Sequence, residues 1–149
     1  MNKKLWVSFI AVYVGMIVTN LAIHRGLLAS TYHTEEVARL MRPEAEAKTW
    51  IYFVTSAIIS FFFTLIFSKG YEGKGMGEGL RYGLYVGLLM ATPMAYDSYA
   101  SYPLPYSLAL QWFIYGTIQY LILGAIVAMV YGKGGSGAMT GSERGATSS

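Results

Sequence analysis

The stretch KGYEGKGMGEGLRYGLYVGLLMATPMAYDSY, Lys69 to Tyr99, carries a small residue at every fourth position: Gly75, Gly79, Gly83, Gly87, Ala91 and Ala95. Helical positions four apart drift by only about 40°, so these six form one ridge with almost no side chain along it. In water so many glycines argue against a helix. In lipid a ridge of small residues lets two backbones approach and pack by van der Waals contact. The stretch therefore predicts a membrane span over Leu80–Tyr99 that serves as the hub of a helical bundle.

Composition agrees. Of 149 residues, 54% are hydrophobic and 13% charged, against roughly 45–50% and 25% in soluble domains. Four apolar segments, Leu5–Ile23, Trp50–Phe67, Leu80–Tyr99 and Leu108–Tyr131, are each long enough to cross a hydrocarbon core of about 30 Å. The expected fold is all-α: a four-transmembrane-helix bundle over residues 1–133, followed by a disordered Gly/Ser-rich tail over 134–149. Met1-Asn-Lys-Lys4 before an apolar run resembles a signal peptide, but the run is long and no small-x-small cleavage site follows, so a retained anchor is expected. The absence of cysteine removes disulfide exchange, thiolate metal sites and covalent haem attachment.

The connectors have patterns of their own. Span one ends at His24-Arg25-Gly26. In the loop that follows, Thr34 can cap a short amphipathic helix opening with Glu35 and Glu36, with Val37, Leu40 and Met41 on its apolar side and the membrane surface beneath it. Pro43, Glu44 and Glu46 suit a first helical turn, which would start span two well before Trp50. The glycines between Lys69 and Arg81 suggest a phosphate loop only weakly, since strand, lysine and hydroxyl context is missing. Counting cations by side gives Lys3, Lys4, Lys69, Lys74, Arg81, Lys133 and Arg144 against Arg25, Arg39, Arg42 and Lys48. That bias predicts both termini in the cytoplasm, and the net charge of +3 is no sign of nucleic-acid binding. Tyr13-Val-Gly-Met16 is echoed by Tyr85-Val-Gly-Leu88, and Phe67-Ser-Lys-Gly70 by Tyr131-Gly-Lys-Gly134, a pattern that two parallel hairpins would produce.

Few side chains could carry chemistry. Asp97 is the one acid inside a predicted span, and a carboxylate in lipid is costly enough to mark a candidate site. His24 and Arg25 end span one on the same side, with Tyr96, Tyr99, Tyr102 and Tyr106 nearby. Asp97 could reach interfacial water, pair with Arg25 to lock the bundle, or act as counter-ion in an outward pocket for a polar or cationic head group. Gln111, Tyr115 and Gln119 make one polar stripe in span four, of the kind that more often hydrogen-bonds between helices than lines a path. Two histidines at one edge do not suit a bis-histidine haem. No metal cluster, nucleophile triad or HExxH motif occurs, so no catalytic residue, metal or cofactor is expected and an enzyme is the least supported reading.

The segment FSKGYEGKGMGEGLRYG, Phe67 to Gly83, together with Pro103-x-Pro-Tyr-Ser-Leu-Ala-Leu-Gln-Trp-Phe113 and His24, resembles a family of small bacterial four-span integral membrane proteins of unknown function, over about residues 3–133. The resemblance implies the membrane architecture and no activity. Three functions follow from the residues. The first is a non-enzymatic protein acting through helix packing, as an accessory subunit of a membrane complex or a homo-oligomer. The second is a small transporter or ligand-binding protein with Asp97 in an outward pocket, though it lacks the span-one glutamate of the small multidrug exporters. The third is an enzyme acting on lipid or quinone through His24 and Asp97.

Overall fold

The structure is a computed structural model that describes residues 2–146, with side chains as far as Gly132. The expected disordered tail, 134–149, falls beyond those side chains, and residues 147–149 beyond the described chain. Every described element is helical. Helix α1 (Lys3–Leu21) runs into a π-helical turn (Ala22–Leu27) and the short helices α2 (Ala29–Tyr32) and α3 (Glu35–Ala38). A 3₁₀ turn (Glu44–Glu46) precedes α4 (Thr49–Gly70). Helix α5 (Met76–Thr92) continues through a second π-turn (Pro93–Asp97) into α6 (Ser98–Ser101), and α7 (Tyr106–Ala146) closes the chain.

Among the described residues three helices, Lys3–Leu27, Thr49–Gly70 and Tyr106–Gly132, are long and apolar enough to cross a membrane. The expected span Leu80–Tyr99 does not reach that standard. Its glycines, Arg81 and Asp97 dilute its apolar character, and Pro93 interrupts its α-helix. A proline has no N–H for the i→i−4 ladder and its ring crowds the preceding turn; the chain answers with a π-turn. Gly26, expected to end the first helix, lies inside the other π-turn, and the glycines at positive φ are Gly73 and Gly75 in the α4–α5 connector.

Packing centres on α7. Helices α5 and α7 run antiparallel along the small-residue ridge, now resolved as Gly79, Gly83, Gly87 and Ala91 on α5, with Ala95 buried in the π-turn beyond. A Cβ built on Gly79 would stand 2.2 Å from the Gly124 carbonyl oxygen, and one on Gly83 2.2 Å from that of Tyr120. Gly75 does not belong to the ridge: it precedes the helix with φ 78° and faces open space. Helix α1 lies on the other side of α7, where Gly15 receives Ile126 and Leu123. Helix α4 packs mainly on α1, offering the small hydroxyl stripe Ser56, Ser60 and Thr64. Helix α5 still reaches α4, because the Tyr82 hydroxyl donates to the Phe63 carbonyl at 2.6 Å and its ring lies 4.7 Å from that of Phe63.

The sequence echoes have a partial structural counterpart. Both α1 and α5 end in a π-turn followed by a four-residue helix, and each packs on the long helix after it. Gly15 and Gly87 both face α7, however, where a strict repeat would turn Gly15 toward α4.

The connectors are more compact than their composition suggests. Glu78, in the first turn of α5, folds the preceding loop over itself by accepting the backbone N–H groups of Glu72 at 2.6 Å and Lys74 at 2.8 Å. Gly73 and Gly75 supply the positive φ that this reversal requires. The Lys74 ammonium bonds to the Glu72 carboxylate and holds it below its usual range. Between α1 and α4, Thr34 does precede a helix opening with Glu35 and Glu36, but its hydroxyl donates backward to Thr31 O at 2.7 Å instead of capping. Val37 is buried, while Leu40 and Met41, expected on the same apolar side, are exposed. The turn after Pro43 is a single 3₁₀ turn, and α4 starts only at Thr49.

Candidate functional site

The polar side chains of the apolar helices gather into two adjoining groups at the end of the molecule where α1 passes into its π-turn. The inner group links three helices. Gln119 on α7 donates from Nε2 to Asn20 Oδ1 at 2.8 Å and to Thr19 Oγ1 at 2.9 Å, with Met16 Sδ at 3.3 Å. Thr19 can accept because its own hydroxyl donates to the Gly15 carbonyl at 2.8 Å. Asn20 passes the connection on, donating from Nδ2 to Ser56 Oγ on α4 at 3.3 Å. The direction of this chain fixes the amide orientations: Gln119 and Asn20 both present N–H₂ toward the next acceptor.

The outer group forms where α2 folds back onto α7. Thr31 donates to Gln111 Oε1 at 3.1 Å. Trp112 donates from Nε1 to the Tyr32 hydroxyl at 2.9 Å, and that hydroxyl lies 2.7 Å from His24 Nδ1. The His24 and Tyr32 rings are nearly parallel, 13° apart. Indole can only donate, so the Tyr32 oxygen accepts from Trp112, and in the arrangement that uses the phenol proton it is given to His24 Nδ1. Burial pushes the Tyr32 phenol above its ordinary value, against the opposing effect of the Trp112 bond, so it keeps that proton at neutral pH. His24 then accepts at Nδ1 and carries its own proton on Nε2. Tyr32→Phe removes both bonds, and the expected result is loss of a single His24 tautomer in ¹⁵N NMR, at a cost of about 1 kcal/mol per bond. An unchanged imidazole spectrum contradicts this assignment.

The residues singled out in the sequence divide differently from expectation. Gln111, Gln119 and His24 enter these networks, while Tyr115 on the same stripe is half-buried with no hydrogen bond among the described residues. Arg25 and Asp97 are both exposed, and the ion pairs among the described residues are Arg39–Glu35 and Lys74–Glu72. Asp97 therefore does not pair with Arg25, nor does it hydrogen-bond His24. It sits at the end of the Pro93 π-turn, which carries it outward. Tyr96 and Tyr99 pack on Tyr106, with ring centroids 6.5 and 5.6 Å away, and Tyr96 also meets Phe113, which makes an aromatic seam at the α6–α7 corner.

Tyr32, Trp112, Thr31 and Asn20 were not legible as site residues. A signal did exist for Asn20, since Thr19-Asn20 is the polar interruption of an otherwise apolar span and Gln119 its counterpart in another. Nothing in the spacing brings Tyr32 beside Trp112, 80 positions away. Among the described residues no group of acidic or histidine side chains could hold a metal ion. Two shallow cavities lie at the opposite end of the helices, one of about 210 Å³ bounded by Asn2, Leu5, Leu65, Ser68, Lys69 and Tyr131, the other of about 180 Å³ beside Glu78 and Tyr82. Comparison with protein-family models, curated proteins and solved structures finds no match, so the likeness of Phe67–Gly83 to a bacterial family carries no family assignment and the functional reading rests on this geometry.

Proposed function

We propose that this chain is a non-enzymatic, multi-pass protein of the bacterial inner membrane that works through helix packing, as an accessory subunit of a larger membrane complex or with further copies of itself. In this reading α5 completes a four-span bundle with both termini in the cytoplasm, and α3 lies along the outer surface. The observation that supports it is the state of α4, a 22-residue apolar helix covered on one side only. Trp50, Tyr52, Phe53, Ile58, Phe62 and Ile66 are all exposed along it. The small-residue ridge, which suggested assembly in the sequence, is occupied within the chain by Gly124 and Tyr120, so in this reading association uses a face still exposed, and α4 offers one.

Because the chain has no cysteine, a cysteine introduced at Ile58 is unique. Native mass spectrometry of the wild type, taken gently from its membrane, should give a mass above that of one chain, and Ile58→Cys should cross-link to a partner or a second copy. A bare monomer with no cross-link at this position defeats the reading.

A second reading is ligand binding by a small transporter-like protein, and the His24–Tyr32–Trp112 group favours it. There the half-buried imidazole has an Nε2 proton still to place. Asp97 would serve it only as an exposed counter-ion. Ligand binding that survives Tyr32→Phe but fails in Asp97→Asn would locate the pocket at Asp97 instead.

A further inference from the structure

The end of the molecule away from the polar groups holds a cavity whose two halves differ in chemistry. Asn2, Ser68 and Lys69 form a polar rim, and Leu5, Leu65 and Tyr131 an apolar wall. Asn2 uses its Oδ1 to cap α1 by accepting from Leu5 N at 3.0 Å, which leaves its N–H₂ to donate elsewhere. Ser68 donates to the Leu65 carbonyl at 2.6 Å. Lys69, in the last turn of α4, is exposed and forms no ion pair among the described residues. A second cation stands close by. Lys4 lies 4.0 Å from the Tyr131 ring centroid and 5.1 Å from that of Tyr71, and those two rings meet edge to face at 4.9 Å. This aromatic pair holds the Lys4 ammonium against Tyr131, which lines the cavity, while leaving its charge in place.

Acidic groups at this end are already engaged. Glu72 is bonded to Lys74, and both Glu78 oxygens are taken by backbone N–H groups. Among the described residues no acid borders the cavity itself. An anionic group beside Lys69 joined to an apolar portion beside Leu5 and Leu65 suits this lining. About 210 Å³ accommodates a phosphate ester but not a whole lipid, and Phe62 and Ile58 are exposed about one and two turns from Leu65 along α4.

We propose that this cavity between the start of α1 and the end of α4 binds the phosphate headgroup of an anionic phospholipid, whose acyl chains lie along α4. Lys69 and the Asn2 amide hold the phosphate oxygens, Lys4 supplies the second positive charge, and Leu5 and Leu65 bear on the glycerol end. A basic pocket between apolar helices at the membrane surface is suited to such headgroups, with a contribution per lysine equivalent to about fivefold in affinity. The headgroup cavity is separate from the α4 association face, which the acyl chains would share at Phe62 and Ile58; counting lipid per chain at each oligomeric mass distinguishes the two readings.

The test is native mass spectrometry of the full chain in detergent with added phosphatidylglycerol or phosphatidylethanolamine. The wild type should retain phosphatidylglycerol several-fold better than phosphatidylethanolamine. Lys69→Gln should lower that retention about fivefold. Leu65→Trp should lower it with every charge in place, and Lys74→Gln, whose lysine is paired outside the cavity, should not. Circular dichroism confirms that each variant is folded, and if Leu65→Trp fails to fold, Leu65→Phe replaces it. Equal retention of the two lipids overturns the proposal, as does equal loss in Lys69→Gln and Lys74→Gln. Displacement of the lipid by millimolar glycerol 3-phosphate would make the ligand a soluble phosphate ester and overturns it as well.

Discussion

Gly83→Ala is expected to destabilise the protein by about 3 kcal/mol, a large effect for one added methyl group. The new Cβ would stand 2.2 Å from the Tyr120 carbonyl oxygen and 3.1 Å from the Leu121 Cα, both backbone atoms of α7. A flexible side chain could swing away, but a carbonyl inside a helical ladder moves only with its helix. Relief requires α5 and α7 to separate, which weakens contact along the ridge at Gly79, Gly87 and Ala91 together. In lipid this contact is van der Waals packing with no hydrophobic gain to replace it. Gly124→Ala should act alike, because its Cβ would stand 2.1 Å from the Gly79 carbonyl. The pair should be non-additive, since helices parted by one substitution have room for the other. Gly77→Ala is the control: nothing lies within 4 Å of that position, so the change should be neutral or stabilising by up to about 1 kcal/mol. Reversible unfolding in mixed micelles, followed by helicity and tryptophan fluorescence, gives each value. Indistinguishable Gly83→Ala and Gly77→Ala would mean that α5 and α7 are not in this contact.

The ridge also shows how far the sequence could be read. Period-four spacing made its helical face legible, because that depends only on local geometry. What the face packs against was not legible, since a small-residue ridge suits a helix of the same chain and one of another chain equally. Gly75 keeps the spacing but falls just before the first turn, where its φ of 78° serves the connector. Span lengths were accessible from composition, and the three strongest match helices of the structure to within a few residues. The weakest was Leu80–Tyr99, and its glycines are the reason in both senses: they dilute its hydropathy and allow its close packing. At the candidate site, the costliness of a carboxylate in lipid singled out Asp97, and that argument says nothing of its neighbours. The π-turn after Thr92 leaves Asp97 on the surface of the helices, without an ion pair among the described residues. His24 meets Tyr32 where Asp97 was expected, because contacts made through the α2 fold-back depend on a turn that no periodicity reveals.

Gln119→Leu should cost about 1–2 kcal/mol, at the upper end of what one polar contact contributes between apolar helices. The side chain is buried, and its Nε2 has Asn20 Oδ1 and Thr19 Oγ1 at 2.8 and 2.9 Å. Leucine fills comparable space, so the loss measures hydrogen bonding more than volume. The Asn20 oxygen loses the donor it has in Nε2, and an amide oxygen without a donor between apolar helices is costly. Asn20 is also the link to Ser56, so the substitution should loosen α4 as well as α7. Its specificity can be tested in a double-mutant cycle. If the two side chains act through one bond, Gln119→Leu should cost about 1 kcal/mol less in an Asn20→Leu background than in the wild type. Thr19→Val should weaken the coupling only in part, because it removes one of two acceptors. The unfolding assay used for the glycines reads all four corners of the cycle. Additive costs would mean that Gln119 and Asn20 each find other partners and that the three-helix connection does not hold α1, α4 and α7 together; a coupling of about 1 kcal/mol makes Asn20 the point at which the two sides of the molecule are joined.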